Sequence, residues 1–213
     1  MSFMSDLING ADNKFDHSNL NALQKVTLRA VVMAFLFYGL AALEGMIMRT
    51  AAVIPTIPPV HGSPEHYFSI MTVHPIVGIF GSTYQLVFGA FMFLVPMLTK
   101  KPLYSVKLAN WVWLLITIGT ALSWIAAFAW NYAPLYTLYW PLPADTQQFK
   151  TIGGIVFILG VALIMLGTFG FIYNIYATIF ARVGVHKNKT MRELLISGFG
   201  IDGILNLLYK LTG

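Results

Sequence analysis

Cysteine is absent from the 213 residues, which removes disulfides, thiolate metal sites and cysteine nucleophiles from consideration. Charge is nearly as scarce. Asp, Glu, Lys and Arg make up 10% of the chain, where a water-soluble domain carries about a quarter, so a hydrated surface cannot be covered. With 57% hydrophobic residues and a mean hydropathy of +0.72, lipid must replace water around most of the fold. Acidic residues are the rarer sign, 8 against 13 basic, which leaves a net charge of +5 and a pI near 9.4. That excess does not imply nucleic acid, because the basic residues fall in short clusters beside apolar stretches, as membrane topology requires. Nor is there the basic tip and apolar core of a cleavable signal peptide, since Asp6, Asp12, Lys14 and Asp16 stand in a polar opening segment.

What the chain does contain is four apolar stretches, residues 26–54, 68–98, 108–130 and 152–181. Each exceeds the roughly 20 helical residues that cross a hydrocarbon core of ~30 Å. A membrane barrel would instead alternate inward and outward residues over ~10-residue segments. The expected fold is therefore all-α, a polytopic membrane bundle of four long transmembrane helices. A polar segment precedes it (1–25), one transmembrane domain follows (26–189), and a short apolar stretch closes the sequence (190–213). This last stretch, with four glycines and Asp202, reads either as an interfacial helix or as the start of a fifth span. Ten basic residues fall on one side of the membrane and two, Arg49 and Lys150, on the other. The N-terminus and the loop at Lys100 and Lys101 are thus expected in the cytoplasm, with the Pro-rich loops outside.

Polar groups inside a bilayer are costly unless used, so the few present carry most of the functional information. Of five histidines, His17 and His186 lie in cytoplasmic segments and His61 and His66 in an outer loop, leaving His74 alone at membrane depth. Either it hydrogen-bonds a facing helix, or its imidazole ligates the iron of a porphyrin standing between helices. Gly78, Gly81 and Gly89 on the same helix leave room for a macrocycle or for close helix packing. A second axial ligand within this chain would have to be a methionine, Met46, Met48 or Met71; a ligand from another chain is the alternative. Near the outer end of the first helix, Arg49 either snorkels to the interface or donates to a haem substituent. Glu44, five residues earlier and deeper, is either a proton-handling group or a hydrogen-bond partner. Trp111, Trp113, Trp124, Trp130, Tyr132, Tyr136, Tyr139 and Trp140 cluster toward the ends of helix three and in the following loop, most of them as an interface belt.

Taken in order, these segments resemble the first four helices of subunit I of haem-copper terminal oxidases, over about residues 35–181. "EGMIMRTAAVIP" is similar to that family's first-helix ending, where an arginine approaches the low-spin haem. "TVHPIVGIF" resembles the second-helix motif whose histidine ligates that haem iron, and "LYTLYWPLP" the loop between helices three and four, with Tyr136 in place of a tryptophan. Pro96, Pro102 and Asn110 keep the family spacing between them. Two departures stand out: Leu103 replaces the aspartate of a proton-channel entry, and Pro75 replaces the glycine after the ligand, which is expected to kink the helix. The loop resembles that of the divergent B-type oxidases.

The resemblance implies a respiratory oxidoreductase subunit in a prokaryotic plasma membrane, not catalytic alone. His74 would be the metal ligand and, with Arg49 and Tyr136, would bind a low-spin haem of a or b type. The second axial ligand, the high-spin haem and the copper are then expected on a complementary chain that carries the remaining helices, so that this chain is a split or truncated subunit I. A subunit II-like electron-entry partner and a quinol or small redox protein as donor complete the expected complex. A nitric oxide reductase-type subunit and a non-catalytic membrane scaffold are the alternatives.

Overall fold

The computed structural model describes residues 21–99, 101–132 and 152–180, and within them every long element is a helix. Four helices are long and apolar enough to span a membrane: α1 (Ala22–Ala51), α2 (Pro64–Thr99), α3 (Val106–Trp130) and α4 (Ile152–Phe180). They form a multi-pass bundle in which α1 packs on α2, α2 on α3, and α3 most extensively on α4. Three helices begin a few residues ahead of the apolar stretches because polar caps open them. Asn21 and Gln24 form a reciprocal capping box on α1, Ser63 caps α2 with Pro64 at its first position, and Ser105 caps α3. The segment 190–213 and Asp202 lie outside the described residues.

The sequence leads one to expect a bend at Pro75; the structure resolves it as a change of helix type. Proline has no N–H and its ring crowds the carbonyl four residues back, so one rung of the α ladder is lost at Pro75. Helix α2 therefore continues from Ile76 to Thr83 as a π-helix, with the Tyr84 N–H reaching back five residues to the Ile79 carbonyl, before returning to α geometry.

The seam between α1 and α2 is made of small residues. A Cβ added to Gly81 would stand 2.8 Å from Phe37 and from Thr120, one on Gly89 2.8 Å from Ala30, and one on Gly78 3.6 Å from Ala41. Of the two roles open to these glycines, close packing is the one they serve, as small residues do where apolar surface alone cannot drive helices together in lipid. Deeper in the bundle Gln85 joins α2 to α3 by donating to Thr117 Oγ1 (2.8 Å) and the Trp113 carbonyl (3.2 Å).

At the end carrying Lys101, the chain between α2 and α3 is sewn onto α4. The fully buried Asn174 accepts from the Ser105 N–H (3.0 Å) and donates to the Ser105 carbonyl (2.9 Å), Thr178 Oγ1 accepts from the Tyr104 N–H, and Lys101 Nζ donates to the Ile179 carbonyl. Leucine at 174 keeps the branched shape but strands the Ser105 N–H, while the Ser105 carbonyl keeps only the Ala109 N–H. Asn174→Leu is expected to destabilise the protein by about 2 kcal/mol, read as a lowered midpoint of denaturation by SDS in mixed micelles. An unchanged midpoint would contradict the role given to Asn174.

Candidate functional site

His74 stands in the last α turn of α2 before the π segment, one residue ahead of Pro75. Its ring lies against the backbone of α1 at Gly45, where an added Cβ would meet the imidazole Cε1 at 3.3 Å. An alanine at 45 would require the ring to give by a few tenths of an ångström. The two ring nitrogens have different surroundings. Nδ1 is buried and faces Glu44 Oε2 at 3.8 Å, while the side chain as a whole keeps 38% of its exposure, leaving Nε2 as the nitrogen open to a ligand.

Glu44, only 1% exposed, is the most enclosed acidic side chain among the described residues. Its Oε1 accepts a hydrogen bond of 2.8 Å from Trp124 Nε1 on α3. Trp124 therefore belongs not to the interface belt expected from the sequence but to the interior, tilted against Phe128 and packed beside Phe37, Ala41 and Val77. An indole there needs an acceptor for its N–H, and a carboxyl there needs a donor; each answers the other. Glu44, His74 and Trp124 thus bring three helices to one point. Arg49, five residues on, is one off the i,i+4 spacing and poorly placed to pair with Glu44 within α1. The contacts found are across helices instead.

Arg49 occupies the last turn of α1, exposed, with no hydrogen bond or ion pair to any described residue. Its guanidinium is thus available to something outside the bundle, and at a helix C-terminus a cation is favourably placed. Met46 is 66% exposed, and Met48 packs with Ile47 against the cluster of Ala51, Val60 and Ile70, so neither is committed to His74. Tyr136 and the loop "LYTLYWPLP" lie outside the described residues. Among those described, no three His, Asp or Glu side chains converge as a bare metal ion requires. One imidazole with an open Nε2 is, however, the donor set that one face of a porphyrin iron takes.

A bundle of apolar spanning helices enclosing an imidazole–carboxyl–indole cluster, with one imidazole nitrogen left open, defines a polytopic membrane protein with a histidine seated between its helices. The chain belongs to the family described as cytochrome c and quinol oxidase polypeptide I, whose model matches residues 25–210. It is 31% identical over 176 residues to a cytochrome c oxidase subunit 1 homolog of Agrobacterium tumefaciens, covering 71% of this chain and 28% of that protein. It is 30% identical over 171 residues to the cytochrome c oxidase subunit 1 of Rhodobacter capsulatus (71% and 29%). A bacteroid homolog of Bradyrhizobium diazoefficiens gives 30% over 173 residues (74% and 28%). The chain thus spans under a third of the length of these relatives. No solved structure gives a significant match.

Proposed function

We propose that this chain is the portion of a haem-copper terminal oxidase subunit I that holds one face of the low-spin haem, with His74 as an axial ligand to its iron. The observation that carries the proposal is the asymmetry of the His74 ring, whose Nδ1 is enclosed against a carboxyl while Nε2 is open. A ligating histidine needs an acceptor near its free nitrogen and its other nitrogen unobstructed; here a carboxyl oxygen stands 3.8 Å from Nδ1 and Nε2 is open. Gly45 gives the ring a flat bed, and Arg49 is free to donate to the carboxylates or other substituents at the porphyrin edge. Tyr136 is assigned to the same binding region by its position in the family motif.

The haem, when bound, supplies a one-electron relay. This chain's own part is to hold the imidazole, exclude water with the packed α1–α2–α3 seam and set the orientation of the ring. The second axial ligand, the high-spin haem and the copper are assigned to a complementary chain that carries the helices beyond these four. Electrons would enter from a quinol or a small redox protein through a subunit II-like partner, and the whole complex would reduce oxygen to water with proton translocation.

The test is to tag this chain, purify the complex from detergent-solubilised prokaryotic membranes, and record its reduced-minus-oxidised spectrum with oxygen and nitric oxide consumption measured separately. Low-spin haem in fixed proportion to this chain, with oxygen consumed, is the expected result. A complex free of haem would overturn the proposal in favour of a scaffold, and consumption of nitric oxide alone would move it to the reductase branch.

A further inference from the structure

Ligation by His74 occupies one nitrogen of its ring and leaves the carboxyl beside the other without a task. Glu44 is 1% exposed within the apolar span α1, about two turns from its end, where a carboxyl is costly unless it is used. One of its oxygens is fixed, since Oε1 accepts from Trp124 Nε1 at 2.8 Å. The other, Oε2, is buried without a hydrogen-bond partner, and so is His74 Nδ1, 3.8 Å away. Buried polar atoms without partners are uncommon in folded proteins. Here two of them face each other, one an acceptor and the other able to donate. Their separation is too long for a hydrogen bond and too short for a water to stand between them. The χ2 torsion of an imidazole is broad, and a hydrogen bond requires the pair to approach by roughly 1 Å.

We propose that Glu44 is a positioning residue for the haem ligand: its Oε2 accepts the Nδ1 proton of His74, which keeps the lone pair on Nε2 and fixes the plane of the ring on Gly45. This rests on His74 being the axial ligand. Because Oε1 is held by Trp124, the orientation of a ligand carried on α2 is set jointly by α1 and α3, and the carboxyl cannot turn away from the ring without breaking its bond to the indole. An acceptor on the far nitrogen makes the imidazole a stronger donor to iron and favours the oxidised state. Glu44 therefore lowers the reduction potential of the low-spin haem.

Glu44→Gln separates positioning from packing. The amide has nearly the same shape but only one accepting oxygen, so if that oxygen keeps Trp124 the NH2 group faces the Nδ1 proton, and if it turns to His74 the NH2 group faces the indole N–H. In the purified complex the expected result is retention of the low-spin haem with altered ferric EPR g-values. The midpoint potential should rise, shifting the ratio of reduced to oxidised haem about tenfold at fixed potential, ~59 mV for one electron. Glu44→Asp is too short to reach both partners, and a smaller shift of the same sign is expected. Native potential and g-values in Glu44→Gln, or in Glu44→Asp should the Gln variant fail to assemble, would overturn the positioning role. His74→Ala, made in parallel, tests the premise: if it keeps the low-spin signal, the ligand assignment itself fails, whereas loss of that signal beside unchanged Glu44 variants overturns only the positioning.

Discussion

Replacing His74 with Ala is expected to abolish the low-spin haem signal of the assembled complex, a loss of about 100-fold or more in occupancy. Removing groups that merely support a metal ligand costs 10- to 100-fold in metal affinity, and removing the ligand itself costs more. The fold should survive, because the side chain is 38% exposed and rests on the backbone at Gly45. Truncation opens space at the edge of the bundle rather than a void in the tightly packed seam of Val77, Phe37 and Ala41. His74→Gly sharpens the experiment. It clears the seat beside Glu44, so imidazole added to the medium can occupy it with one nitrogen toward Oε2 and the other free for iron. Partial return of the low-spin spectrum on titrating imidazole is the expected outcome. The reduced-minus-oxidised spectrum of membranes carrying His74→Ala, compared at equal levels of this chain, is the direct measurement, and an undiminished low-spin band would remove His74 from the haem.

The depth of His74 and the four spans were readable because both depend on local quantities. Hydropathy over some twenty residues identifies a span, and one histidine within such a span is conspicuous. The ends of the helices were less legible, since Asn21, Ser63 and Ser105 are polar and look like loop until their capping bonds are seen. The partnership of Glu44 was not legible at all. Its two contacts come from residues 30 and 80 positions away on other helices, and α1 is apolar around most of its circumference, so no periodic stripe says which face meets α2 and which α3. Trp124 was lost among neighbouring aromatics for the same reason. Its place some six residues before the end of α3 argues for the interior, but only once the helix end is known. Asn174 carried a usable signal. An Asn with a Thr four residues later in an otherwise apolar span marks a face that must find polar partners, and Ser105 and Tyr104 are those partners.

The stability of the bundle is expected to hinge on one pair of glycines. Gly119 on α3 and Gly160 on α4 bring two backbones into contact: a Cβ on Gly119 would stand 2.6 Å from the Gly160 carbonyl oxygen, and a Cβ on Gly160 2.6 Å from the Gly119 carbonyl oxygen and 2.5 Å from Ser123 Oγ. The two carbonyl contacts cannot be relieved by turning a flexible side chain, because what lies opposite there is main chain. Gly160→Ala must therefore push the helices apart along the most extensive interface in the bundle, with a cost of about 2–3 kcal/mol for overpacking. Gly160→Leu should separate α3 from α4 outright and leave little assembled protein. Gly39 supplies the matched control, since it lies in α1 with nothing within 4 Å of its added Cβ, so Gly39→Ala should be close to neutral. Comparing these variants by SDS denaturation midpoint and by the monodispersity of the detergent-purified protein reads the effect directly. If Gly160→Ala denatures at the same point as Gly39→Ala, close approach of the α3 and α4 backbones is not what holds this half of the bundle together. The distinction matters for the site as well, because α3 also carries Trp124, and a displaced α3 would draw the indole away from Glu44 and loosen the seat of His74.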